Sequence, residues 1–304
     1  LHQYTPSAIG KIYNMFLLGS MCWLLMDVGK IMDHEDMFFF GELPRLFGRG
    51  ANLVGFALVL LIWILYVLRQ RKIVVLANRF HASFRAIKKF NVNHGYYMIL
   101  VLSLNSTVIL TVSIHQWIVS SQNITVVLLG IFSPSVISWM MIQYSFIIDM
   151  VRTRVKSLND ALVGIGGNSE TMDQDSSLTM TKPSLGSDAA LIVSGIQRSH
   201  RDLISLCQCA GDLYAPLLFM GILYFSVASV YTAYMFLVPF IRDHATDMMN
   251  IVVTILFMIF ELLPIFCLAT SANRLIQTVQ GTSKILHTLL DRCAMHSDMA
   301  KLVF

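Results

Sequence analysis

One carboxylate interrupts the long apolar run ILFMIFELLPIFCLAT, at Glu261. An ionised group in such surroundings is expensive. It must line hydrated space, pair with a group from another segment, or carry a proton. Pro264, three residues on, removes a backbone hydrogen bond and should bend any helix that contains it. Glu261 and Pro264 are therefore candidates for coupling a binding event to a gate. Other side chains with usable chemistry lie in the apolar stretches. They are Asn105, Ser113, His115, Gln116 and Trp117, then Phe132, Ser135 and Trp139 near a bend expected at Pro134. Tyr231 and Tyr234 follow, three apart, and then Asn250 and Thr254. Small ligands are held by apolar walls carrying a few placed polar groups. Aromatic faces with hydroxyls and amides suit a sugar, and the aromatics suit an alkaloid equally well. His115 and Trp117 would also serve as anchors at the lipid headgroups. Ser and Thr in membrane helices often bond their own backbone or a neighbouring helix.

No metal-ligand spacing, Gly-rich phosphate loop or nucleophile motif occurs, so catalysis, cofactors, metals and nucleic-acid partners are not expected. None of the five cysteines, Cys22, Cys207, Cys209, Cys267 and Cys293, falls in a predicted outer loop. They read as small apolar residues without a structural disulfide.

The candidate residues require elements that cross a bilayer. Of the 304 residues, 56% are hydrophobic and 13% charged, far from the roughly 25% charge of soluble domains. The expected fold is an all-α integral membrane protein. A bilayer core needs about 20 apolar residues per helix. Six stretches qualify: Ile9–Lys30, Ala51–Leu68, Tyr96–Val119, Ile124–Asp149, Leu213–Val238 and Met248–Thr270. Lys and Arg concentrate on the cytoplasmic side of membrane proteins. With the N-terminus inside, 18 of the 22 Lys and Arg residues fall in inner segments, and only Lys30, Arg45, Arg49 and Arg242 fall outside. The N-terminus is therefore expected in the cytoplasm. The sequon at Asn105 lies within a span, and the one at Asn123 almost on the membrane surface, so neither favours a glycan. The chain starts at Leu1 without a secretory leader and reads as a fragment whose natural start is missing.

Residues 1–150 are thus assigned to spans one to four, and 151–163 to a cytoplasmic extension of the fourth helix. The stretch GIGGNSETMDQDSSLTMTKPSLGSD has too few large apolar side chains to order itself, so 164–190 is read as a disordered cytoplasmic loop. Residues 191–304 hold spans five and six with their own extensions. Three of these segments carry narrow apolar seams at intervals of three and four, as helix partners do. The seams run Ile148, Val151, Val155, Leu158 and Leu162, then Leu203, Leu206, Ala210, Leu213 and Leu217. The third is Ala272, Leu275, Val279, Thr282, Leu286, Leu289 and Cys293. The alternative is amphipathic helices lying flat on the inner leaflet.

Inner N-terminus, long inner extensions, RTRVKSLNDAL after the fourth span and RSHRDLISLCQCAGDLYAPLLF before the fifth resemble the insect gustatory receptor family. The resemblance covers nearly the whole chain through spacing and hydropathy. It implies seven-helix, ligand-gated, nonselective cation channels of the plasma membrane, related to insect odorant receptors. Four subunits, identical or mixed, would be held by the cytoplasmic extensions, with a tastant pocket among the membrane helices. It also implies a seventh, pore-lining helix bearing Thr-Tyr, a short apolar run and Gln-Phe, which this sequence lacks. A G-protein-coupled receptor is a second possibility, opposed by the inner N-terminus and by the absence of an Asp/Glu-Arg-Tyr motif after the third span. A secondary transporter is a third, opposed by the absence of repeated halves.

Overall fold

The computed structural model describes residues 12–20, 22, 42–85, 92–120, 124–167, 185–241 and 248–294, all of them helical except a turn at Arg69. The helices are α1 (12–20), α2 (Glu42–Leu68), α3 (Gln70–Arg85), α4 (Val92–Ser120), α5 (Ile124–Gly167), α6 (Leu185–Ile241) and α7 (Met248–Ala294). Most of the first predicted span, Ile9–Lys30, lies outside the described residues, as do 168–184 of the predicted loop. The ends of that loop, 164–167 and 185–190, continue α5 and α6 as helix. A further helix not anticipated is α3, which follows α2 after the single turn and carries Leu76 and Phe80 inward, with Arg71 and Lys72 exposed.

Among the described residues, four helices are long and apolar enough to cross a membrane: Gly50–Leu68, Ile131–Val163, Ser194–Val238 and Ile251–His287. A shorter apolar stretch, Ile99–His115, lies within α4. At 1.5 Å per residue, α5, α6 and α7, of 44, 57 and 47 residues, run about 65 to 85 Å. Each outruns a hydrocarbon core of about 30 Å. The chain is therefore an all-α membrane protein whose last three described helices extend well beyond their spans.

Two compact units divide the chain: 1–144 with 210–269, and 145–209 with 270–304. In the first unit large apolar residues occur both inside and outside. On α4, Val101, Asn105, Val108 and Val112 are buried while Ile99, Leu110, Ile114 and Ile118 are exposed. Lipid solvates that outer face, so burial here selects for packing and polar pairing. Val101, Ile142 and Cys267 meet in one cluster, joined by Leu102 and Leu263. Close approach is set by glycines: a Cβ on Gly55 would meet Ser133 Cβ and the Tyr224 hydroxyl at 3.1 Å. One on Gly221 would meet Ile137 and Met141 at 3.2 and 3.3 Å. Near the end of α2, Arg69 donates to the Asp212 carbonyl of α6 at 2.6 Å. Beside it Tyr66 donates to the Tyr214 hydroxyl at 3.4 Å.

In the second unit the α5 residues Val151, Val155, Leu158 and Leu162 are buried, as are Leu203 and Leu206 on α6. On α7 the buried positions are Ser271 and Thr282, whereas Val279 and Leu286 are 46% and 42% exposed. The inward row of α7 keeps Thr282 of the expected seam but takes in Ser271 in place of Val279 and Leu286, where it meets polar groups on α5. Ser271 donates to Asp149 Oδ2 at 3.0 Å and shares a 2.8 Å bond with Ser145. Thr282 donates to Asn159 Oδ1 at 2.8 Å, and the Asn159 amide donates to the Thr278 carbonyl at 3.3 Å.

Gly55→Val is expected to destabilise the fold by about 1–3 kcal/mol through overpacking. Gly50→Ala, where a Cβ meets nothing within 4 Å, should be neutral or mildly stabilising. Thermal melts of the two purified variants check the contrast.

Candidate functional site

Two polar contacts stand out in the otherwise apolar interior of the first unit. The first joins α4 to α5. Asn105 is 0% exposed because it occupies a core position between Val101 and Val108. Its Oδ1 accepts from Ser138 Oγ at 3.2 Å, while its Nδ2 is buried with no partner. Ser133, one helical turn before Ile137 on α5, also has a buried, unpartnered hydroxyl. The second contact joins α6 to α7, where Thr232 Oγ1 donates to Glu261 Oε1 at 3.0 Å. Glu261 is 2% exposed and Oε2 has no hydrogen-bond partner. Aromatics pack beside it: Phe260 meets Phe225 edge-on at 6.1 Å and Phe257 at 5.9 Å.

Magnitudes separate these contacts from ordinary stabilising ones. An interhelical hydrogen bond in a bilayer contributes about 0.6 kcal/mol on average. An ionised carboxylate at mid-span costs about 3 kcal/mol even on the most lenient scale. The Thr232 contact alone does not offset it. An amide with an unmet N–H₂ is similarly unfavourable in hydrocarbon. Both groups are therefore placed against stability, as binding groups are.

The remaining sequence candidates divide by environment. Ser113 and Ser135 donate to their own backbones, at Ile109 O (2.7 Å) and Ile131 O (2.6 Å), which leaves their hydroxyl protons engaged. Trp139 and Tyr234 are 48% and 46% exposed and turn toward the surrounding medium. Phe132 packs edge-on against Trp63 at 6.1 Å. His115 is half-buried with Nε2 unpartnered. Tyr231 and Thr254 are half-buried. The side chains of Gln116, Trp117, Asn250 and Leu289 lie outside the described residues. Pro264 is buried beside Glu261 in sequence, within an unbroken α7. Among the candidates, Asn105 and Glu261 are each tied by a hydrogen bond to a neighbouring helix of the first unit, and their partners Ser138 and Thr232 were not foreseen. A hydroxyl on another span leaves no local signal in sequence. In the second unit Thr282 is a member of the expected α7 seam and is buried, but its partner Asn159 and the Asp149–Ser271 pair were not foreseen, because attention to apolar periodicity passes over polar residues that share the same face. Among the described residues no group of three or more His, Cys, Asp or Glu could hold a metal ion.

With Ser138→Ala, Asn105 loses its one donor among the described residues. The expected cost is about 0.6–1.7 kcal/mol, the range measured for such bonds in membranes, whereas Trp139→Phe at the surface should change stability by less than about 0.5 kcal/mol. Unfolding in a denaturing detergent series distinguishes them.

The family described as 7tm chemosensory receptor matches residues 11–303. No curated protein matches the chain.

Proposed function

The chain belongs to the 7tm chemosensory receptor family, and from that premise we propose that it is a gustatory receptor subunit of the plasma membrane. In this reading four subunits, identical or related, form a ligand-gated, nonselective cation channel. The family match over nearly the whole chain is the observation that carries the proposal. The Lys and Arg asymmetry supports a cytoplasmic N-terminus, opposite to the orientation of G-protein-coupled receptors. The stripe Ile276, Val279 and Leu286 on α7, 55%, 46% and 42% exposed, supplies apolar surface for neighbouring subunits.

The tastant is a small molecule with at least one hydrogen-bond acceptor, a sugar or a bitter compound, received by the unmet amide of Asn105. Surrounding apolar side chains exclude water, which raises the value of that one directed contact. Opening follows only if the ligand prefers the open arrangement of the helices to the closed one. Permeant cations and the lipids that solvate the exposed apolar faces complete the set of partners.

Current recording from cells expressing the full-length protein, challenged with sugars and bitter compounds, tests this reading. A tastant-evoked cation current that does not require G-protein signalling is the expected result. Asn105→Leu should raise the half-maximal concentration about tenfold, equivalent to about 1.4 kcal/mol, at unchanged surface expression. An N-terminal epitope should stain only after permeabilisation. Outer staining of intact cells, or responses that vanish when G-protein signalling is blocked, would contradict it.

A further inference from the structure

Hydroxyls in these helices mostly turn back on their own backbone. Thr107, Thr111, Ser113 and Ser135 each donate to the carbonyl four residues earlier, at 2.6 to 2.9 Å. Thr232 departs from this habit and donates across to the Glu261 carboxylate at 3.0 Å. Ser229, one turn earlier on the same face of α6, approaches the same carboxyl closely enough to interact with it, yet its buried Oγ reaches hydrogen-bond geometry with no group among the described residues. Glu261 Oε2 is likewise buried and unpartnered, on a residue 2% exposed. No Lys, Arg or His among the described residues pairs with it. Two unmet oxygens and one carboxylate oxygen with a single donor thus face one another at the α6–α7 contact of the first unit.

Pro264 adds a third kind of oxygen. Its ring nitrogen has no hydrogen to give, so the carbonyl of Phe260, the residue before Glu261, loses its helical partner. A carboxylate, two hydroxyls and a freed backbone carbonyl are hard oxygen donors, the class that takes alkali and alkaline-earth cations. Charge selects between them. One carboxylate neutralises one positive charge, and a divalent ion would leave an unpaired charge in apolar surroundings. Broken or proline-relieved helices in membranes place carbonyls at Na⁺ sites for the same reason.

We infer that Glu261, Thr232 and Ser229, with the Phe260 carbonyl, form a binding site for a single Na⁺ ion between α6 and α7. The ion satisfies the oxygens that the protein leaves unmet and ties the two helices together beside Pro264. The site requires only the membrane-embedded fold and is independent of the tastant reading.

Melting the purified full-length protein in about 100 mM NaCl, against about 100 mM choline chloride at the same pH, tests the site by linkage. Na⁺ should raise the melting temperature by about 2–4 °C. Glu261→Gln should abolish that shift. Ser229→Ala, which keeps the carboxyl and so remains informative if Glu261→Gln fails to fold, should reduce it by half or more. Thr111→Val, at an exposed hydroxyl bonded to its own backbone, should leave it intact. Equal melting in the two salts, or a shift retained in Glu261→Gln, overturns the inference. A melting temperature that follows pH but not Na⁺ also overturns it, and makes Glu261 a buried protonated acid.

Discussion

A backbone amide or carbonyl in hydrocarbon has no water to turn to, and that single constraint organises this molecule. Helices satisfy every backbone group within one segment, and all described residues but Arg69 are helical. The same constraint disciplines the side chains. Thr107, Thr111, Ser113 and Ser135 on α4 and α5 return their protons to carbonyls of their own helix, which makes them tolerable in lipid without requiring a neighbour. Against that background, a polar group that reaches across to another helix, or reaches nothing, is conspicuous. Asn105, Ser229 and Glu261 are conspicuous in this sense.

Each unit is held together internally by a different chemistry. In the first, apolar contact with a neighbouring helix replaces apolar contact with lipid, so it contributes shape more than driving force. Gly55 and Gly221 let the helices approach to the limit of van der Waals contact, and the Tyr66–Tyr214 and Arg69–Asp212 contacts fix α2 against α6. In the second, the apolar row Val151, Val155, Leu158 and Leu162 alternates with Asp149 and Asn159, each paired to a hydroxyl of α7. Buried polar pairs within a leucine seam set register, because any slip leaves them without partners.

Much of the fold is legible in the sequence, because period and composition carry it. The seam Leu203, Leu206, Ala210, Leu213 and Leu217 is buried at every position, as its spacing of three and four places these residues on one face. The seam on α7 is not legible in the same way. Its apolar members Val279 and Leu286 are exposed, while its one polar member, Thr282, and Ser271 outside it take the interior, drawn there by Asn159 and Asp149 more than 120 residues away. Hydropathy ranks serine and threonine as outsiders and has no means of seeing a distant partner. The site was half legible for the same reason. Glu261 and Asn105 are evident from their surroundings, but Thr232 and Ser138 become meaningful only when helices are brought together. Ser113 and Ser135 illustrate the converse: correct residue types, already engaged with their own backbones.

The placement of Glu261 beside Pro264 ties these threads together. A proline within a helix and a carboxylate three residues before it are each unfavourable in lipid, one through an orphaned carbonyl and one through an unneutralised charge. Separately, each would be removed at little structural cost by a leucine. Together they have a common remedy, a small cation that takes the carbonyl and the carboxylate at once, with hydroxyls from α6 completing its shell. An ion bound more tightly by one arrangement of α6 and α7 than by another would shift the balance between them, as a ligand does, since either acts only through its preference among states.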